Sequence, residues 1–84
     1  MNNNFQEVIK IMIKWARDNR GWYISEDGRF TIHPSYDRSY GNHWVLYDKQ
    51  EHERLNTIIP EIAYQKAHIH LSSLKDCKKA AESL

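Results

Sequence analysis

Between Trp22 and Ile32 the chain reads Trp-Tyr-Ile-Ser-Glu-Asp-Gly-Arg-Phe-Thr-Ile. Two stretches rich in aromatic and β-branched residues are joined there by Asp27-Gly28. That pattern specifies a β-hairpin, because aspartate and glycine supply the backbone angles of a tight reversal. Loop length then decides the register. A two-residue Asp27-Gly28 loop pairs Ser25 with Phe30 and sets Ile24 opposite Thr31, which mixes polar and apolar side chains on each face. A three-residue loop with Gly28 left-handed pairs Ile24 with Phe30 and Trp22 with Ile32. The second register is expected, since it gathers Trp22, Ile24, Phe30 and Ile32 on one face. Tyr23, Ser25, Arg29, Thr31 and His33 then occupy the other.

The hairpin, taken as residues 22–33, is preceded by a segment with helical periodicity. Asn4 and Glu7 have the spacing of a capping box. Asn3, Glu7, Lys10, Lys14 and Arg17 fall three and four apart, and the apolar residues between them sweep an arc of about 200°. A helix over residues 4–18 is expected, ended by Gly21. A helix resting on a single sheet needs only about half that arc. The surplus edge, with Ile11 and Trp15, is covered either by the 49–66 segment or by a partner or second copy of the chain.

Residues 34–42 read as a polar loop holding Tyr36, Arg38 and Tyr40, followed by a strand at 43–48. There Trp44 and Leu46 alternate with His43, Val45 and Tyr47, and either set suits the core. Residues 49–66 read as an irregular insertion, with a short helix at 60–66 started by Pro60. A fourth strand at 67–71 would turn Ile69 and Leu71 inward. The last helix, 73–84, is capped by Ser73 with Asp76 three residues on, and its inner side is Leu74, Cys77, Ala80 or Ala81, and Leu84. The expected fold is one α+β domain over residues 1–84: an N-terminal helix, a three- or four-stranded antiparallel sheet and a C-terminal helix, both helices on one face.

Composition narrows the function. A chain of 84 residues builds one modest core. Twelve Lys and Arg against eleven Asp and Glu leave a formal charge of +1, whereas phosphate binding usually demands a clear basic excess. The single cysteine excludes an internal disulfide and a Cys-rich zinc site and suits a reducing cytoplasm. The polar start Met1-Asn2-Asn3-Asn4 is not that of a signal peptide, and no apolar run has the length of a membrane span.

Catalytic machinery is not legible. Cys77 falls on the inner side of its helix, Ser72 and Ser73 open that helix, and the three glycines stand far apart. His68 and His70 share a strand face, but a third metal ligand would have to come from His33, His43, His52 or a carboxylate, none at a diagnostic spacing. Solvated histidines, and no cofactor, are therefore expected. The suggestive surface is Tyr23, Arg29, Thr31 and His33 with Tyr36, Arg38 and Tyr40, because tyrosine and arginine dominate binding hot spots.

The junction Leu71-Ser72-Ser73-Leu74-Lys75-Asp76-Cys77 resembles the strand-to-helix junction of small phage and mobile-element domains with a three-stranded sheet and a helix, the arm-binding domains of tyrosine recombinases among them. Gly28-Arg29-Phe30-Thr31-Ile32 and Trp44-Val45-Leu46-Tyr47 are similar to their strands. The element order and Lys78-Lys79-Ala80-Ala81-Glu82 also resemble a double-stranded-RNA-binding domain, though the chain adds the 48–66 segment and keeps only Lys75, Lys78 and Lys79 of the expected lysines. The resemblance implies a phage or mobile-element accessory factor. The expected function is a non-enzymatic protein-binding module that regulates or inhibits a host protein, with Ile11 and Trp15 as a homodimer or partner edge. The alternative is a nucleic-acid-binding domain using Arg29, Arg38, Lys75, Lys78 and Lys79.

Overall fold

A computed structural model describes residues 12–84. The described residues form an α+β unit with a five-stranded antiparallel sheet in the order β1-β2-β3-β4-β5. The strands are β1 (Trp15–Arg17), β2 (Tyr23–Ser25), β3 (Phe30–Asp37), β4 (Gly41–Asp48) and β5 (His68–Leu71). The helices are α1 (Lys49–Asn56), α2 (Pro60–Lys66) and α3 (Leu74–Glu82).

The helix expected over 4–18 is overturned where it can be seen: Trp15–Arg17 pair with Ser25–Tyr23 as an edge strand. Residues 12–14 carry no helix, and residues 4–11 of the expected helix, Ile11 among them, lie outside the described residues. Ile13-Lys14-Trp15 also alternates apolar-polar-apolar, which turns Ile13 and Trp15 together onto the core, and the neighbouring β2 offers a ladder that an isolated helix lacks. Gly21 (φ 84°) closes a β-turn instead of a helix. The Asp18 carboxylate accepts from the backbone N–H groups of Arg20 (2.8 Å) and Trp22 (3.0 Å).

The expected hairpin register is overturned as well. Ile24 lies opposite Thr31 and Tyr23 opposite Ile32, so Tyr23 and Ser25 share the face of Phe30 and Ile32. The buried Ser25 hydroxyl decides this. It accepts from the Phe30 N–H at 2.9 Å and donates to Asp27 Oδ1 at 2.7 Å, so a polar side chain sits inside at no hydrogen-bonding cost. Gly28 still takes the left-handed conformation (φ 78°).

β3 and β4 run further than expected, through most of the 34–42 stretch, and only Arg38-Ser39-Tyr40 remain as the turn. β2 pairs with β3 only at Thr31 and Ile32. Beyond them that edge of β3 is open, so Pro34, which has no N–H to give, is tolerated inside the strand.

One face of the sheet holds the core of Phe30, Ile32 and Leu46 against Cys77 and Ala81 of α3, with Trp15, Tyr23, Trp44, Ile69 and Leu71 packed around it. Ser73 caps α3 by accepting the Asp76 N–H at 3.0 Å. Leu84, expected inside, is 57% exposed, because α3 ends at Glu82. The 49–66 segment is two helices and not an irregular insertion. Asp48 starts the first by accepting the Glu51 N–H at 3.2 Å, and Pro60 occupies the first turn of the second. Of the two expected helices on one sheet face, the structure shows α3 there.

Candidate functional site

Strand parity sends the remaining side chains to the face away from α3. Across β3, β4 and β5 the register gives the rows Thr31–Tyr47–His68 and His33–Val45–His70, with Ser35 opposite His43. His52 joins them from α1 through a 2.7 Å hydrogen bond between its Nδ1 and the Tyr47 hydroxyl. All five histidines therefore meet on one side of the sheet, although they are scattered from position 33 to position 70.

The rings form three clusters. Trp22 stacks on His33 at 4.5 Å, and the Arg20 guanidinium lies 4.0 Å over Trp22. Tyr47, His52, Tyr64 and His68 form a second cluster, with Tyr64 and His68 4.3 Å apart. In the third, Tyr40 stacks over His70 at 6.1 Å and meets His43 edge-on at 5.6 Å. Between the first two clusters lies an open concavity of about 480 Å³, lined by His33, Ser35, Val45, Tyr64, Gln65, His68 and His70. Val45, only 3% exposed, forms its apolar floor.

Backbone carbonyls settle several imidazole tautomers, since a carbonyl only accepts. His33 Nδ1 lies 3.0 Å from the Pro34 oxygen, His68 Nδ1 2.6 Å from that of Tyr64, and His43 Nδ1 3.0 Å from that of Gly41. Each Nδ1 carries a proton, and each Nε2 of the neutral ring is an acceptor. His43 Nε2 uses its lone pair on His70 Nδ1, 2.9 Å away. Burial, and then the charge of Glu53, push the Tyr47 phenol upward, so it keeps its proton and shares a 2.7 Å hydrogen bond with His52 Nδ1. Among the described residues no three His, Cys, Asp or Glu side chains converge as a metal-binding group.

The residues expected to form the binding surface do not all assemble. Thr31, His33 and Tyr40 lie on this face. Tyr23 is on the opposite one, its ring beneath Lys78 Nζ at 4.8 Å and packed on the core. Arg29 is committed to Asp48 by two 3.0 Å hydrogen bonds, which also push its ionisation upward. Tyr36 is 70% exposed near the β3–β4 turn, and Arg38 is exposed in that turn. Trp15, expected as a dimer edge, is half-buried against the core, 6.4 Å from Phe30. Sequence reasoning did not place Trp22, Tyr47 and Tyr64 at a site, and it weighed His43, His52, His68 and His70 only as metal ligands before setting them aside as solvated. Their signal was the shared parity of His33, His43, Tyr47, His68 and His70, which becomes informative only once the strand pairing is known.

Lys75, Lys78 and Lys79 ride on α3, across the sheet from the histidines, beside a shallow groove with Leu74. Cys77 is fully buried, and burial first, then Asp76, push its thiol up to about 11. Among the described residues no helix is long and apolar enough to cross a membrane. Compared with known proteins, the chain matches no family model, no curated protein and no solved structure.

Proposed function

We propose that this chain is a non-enzymatic protein-binding module whose contact surface is the ring-lined sheet face opposite α3. One observation carries the reading: tyrosines and histidines from β3, β4, β5, α1 and α2 gather on one face around an open, apolar-floored concavity. Tyrosine gives large contact area at small entropic cost, and rings with a polar tip suit a surface that is wet when free and buried when bound. In the setting implied by the mobile-element resemblance, the module regulates or inhibits a host protein.

The nucleic-acid reading needs the sheet face and the α3 lysines to act together. They sit on opposite sides of the sheet, and Arg29 already neutralises Asp48, so neither side alone is strongly basic.

The test is affinity capture with the full chain from cells that naturally produce it. Capture of a protein that survives Lys75→Ser and Lys79→Ser but is lost with His33→Ser or Tyr64→Ser is the expected result. Tight DNA or RNA binding that falls steeply with salt and depends on the lysines would replace this reading with the nucleic-acid one. Capture indifferent to His33 and Tyr64 would remove the sheet face as the contact surface.

A further inference from the structure

We propose that His43 and His70 form the two-nitrogen core of a binding site for an imidazole-preferring divalent metal such as Cu²⁺ or Zn²⁺. The two rings belong to adjacent strands. His70 pairs with Val45, so His43 is its diagonal neighbour, and the backbone itself brings the rings together. His43 Nε2 and His70 Nδ1 stand 2.9 Å apart. Two nitrogens bound tetrahedrally to one zinc ion at about 2.05 Å each lie about 3.3 Å apart. An ion bound to both lies about 35° off the line joining the nitrogens, so the rings must tilt as well as part by less than half an ångström, a movement open to the exposed His70 side chain.

The outer hydrogen bond is the second observation. Metal-bound imidazoles characteristically donate their other N–H to a backbone carbonyl or carboxylate, which fixes the tautomer that coordinates. His43 does this already, through Nδ1 to the Gly41 oxygen at 3.0 Å. Its Nε2 is thus the free donor atom. In the metal-free pair that atom accepts the His70 Nδ1–H. On metal binding the His70 proton moves to its own Nε2 and the freed Nδ1 lone pair coordinates, so a neutral pair binds the ion without a net change in protons.

The third observation is access. A pocket of about 150 Å³ opens beside the pair, lined by Tyr40, Asn42, His43, His70, Leu71 and Ser72. It leaves room for water to complete the coordination, next to oxygen atoms able to hydrogen-bond those waters. Two protein ligands make a modest site whose preference follows imidazole chemistry: Cu²⁺ above Ni²⁺ and Zn²⁺, with Mg²⁺ and Ca²⁺ excluded because they demand oxygen ligands.

The experiment uses the full chain without an affinity tag, titrated with Cu²⁺, Zn²⁺ and Mg²⁺ salts by calorimetry. The ring nitrogens are followed by NMR during the Zn²⁺ titration. Expected are one equivalent of Cu²⁺ or Zn²⁺, none of Mg²⁺, and a switch of the His70 ring from the Nδ1–H to the Nε2–H form. His70 is exposed, so His70→Gln should fold normally and weaken binding by at least about tenfold, while His68→Gln, on the same strand face, should leave it unchanged. Absence of Cu²⁺ and Zn²⁺ binding would overturn the site. So would binding that survives His70→Gln, falls equally with His68→Gln, or leaves the His43 and His70 rings unperturbed.

Discussion

Cys77 illustrates how one side chain's surroundings set its chemistry. Its sulfur is enclosed between α3 and the core residues Phe30, Ile32 and Leu46, where a thiolate would lose its hydration without gaining a cationic partner. The folded-state value is raised from 9.0 to about 11, so the native state holds the proton more tightly than the unfolded chain does. That contribution to stability is fully present below pH 9.0 and is lost as pH rises towards about 11. Cys77→Ala should flatten the alkaline limb of a plot of denaturation midpoint against pH. The native thiol should also react with a thiol reagent only at the rate of opening, which following absorbance with and without denaturant would reveal. Fast native labelling would contradict the burial argument. At the same scale, Asp27 is held below its ordinary value by the Arg29 backbone N–H and then by the Ser25 hydroxyl, which ties the turn to the strand beside it.

That tie governs the first hairpin as an element. Binary patterning favours Trp22, Ile24, Phe30 and Ile32 on one face, yet Tyr23 and Ser25 face the core with Phe30 and Ile32. Patterning treats serine as polar, while the fold gives its hydroxyl the Phe30 N–H at 2.9 Å and the Asp27 carboxylate at 2.7 Å. Ser25→Ala removes both and leaves the buried Phe30 N–H unsatisfied, at a cost of about 1–3 kcal/mol. Denaturant titration should show that loss, accompanied by faster hydrogen exchange at the Phe30 amide. A neutral outcome would mean that packing of Tyr23, and not the hydroxyl, sets the register. Helix α1 shows the same interplay: residues that read as an irregular insertion become a helix because Asp48, 4% exposed, both caps it and binds Arg29, the residue before β3.

At the level of the whole molecule the question is whether apolar surface faces inward or towards another copy. Trp15 is packed against the core from an edge strand. A charged substitution there should therefore destabilise the fold and not simply separate two subunits. Trp15→Lys is expected to lower stability by about 2–4 kcal/mol, read by denaturation, with the sedimentation behaviour of the folded fraction unchanged. A stable, folded monomer arising from a wild-type dimer would reverse that assignment. The molecule also separates two chemically distinct surfaces. Lysines collect outside α3 and imidazoles on the far side of the sheet, an arrangement that no local stretch of the chain encodes.

Local chemistry alone determined a good deal of this protein. The Ser73 cap, the proline at the start of α2, the left-handed Gly28 and the alternation of Ile69 and Leu71 depend on neighbours within a few residues, so they can be read along the chain. Tertiary structure decided the rest. Lys14 and Arg17 fit a helical stripe while Ile13 and Trp15 fit one strand face, and only the ladder offered by β2 selects the strand. Ser25 turns inward only because Phe30 and Asp27 meet its hydroxyl. The five histidines become one surface only when β3, β4, β5 and α1 come together. The physical reason is shared: backbone propensity and capping act over one turn, whereas register and side-chain convergence are set by partners distant in sequence.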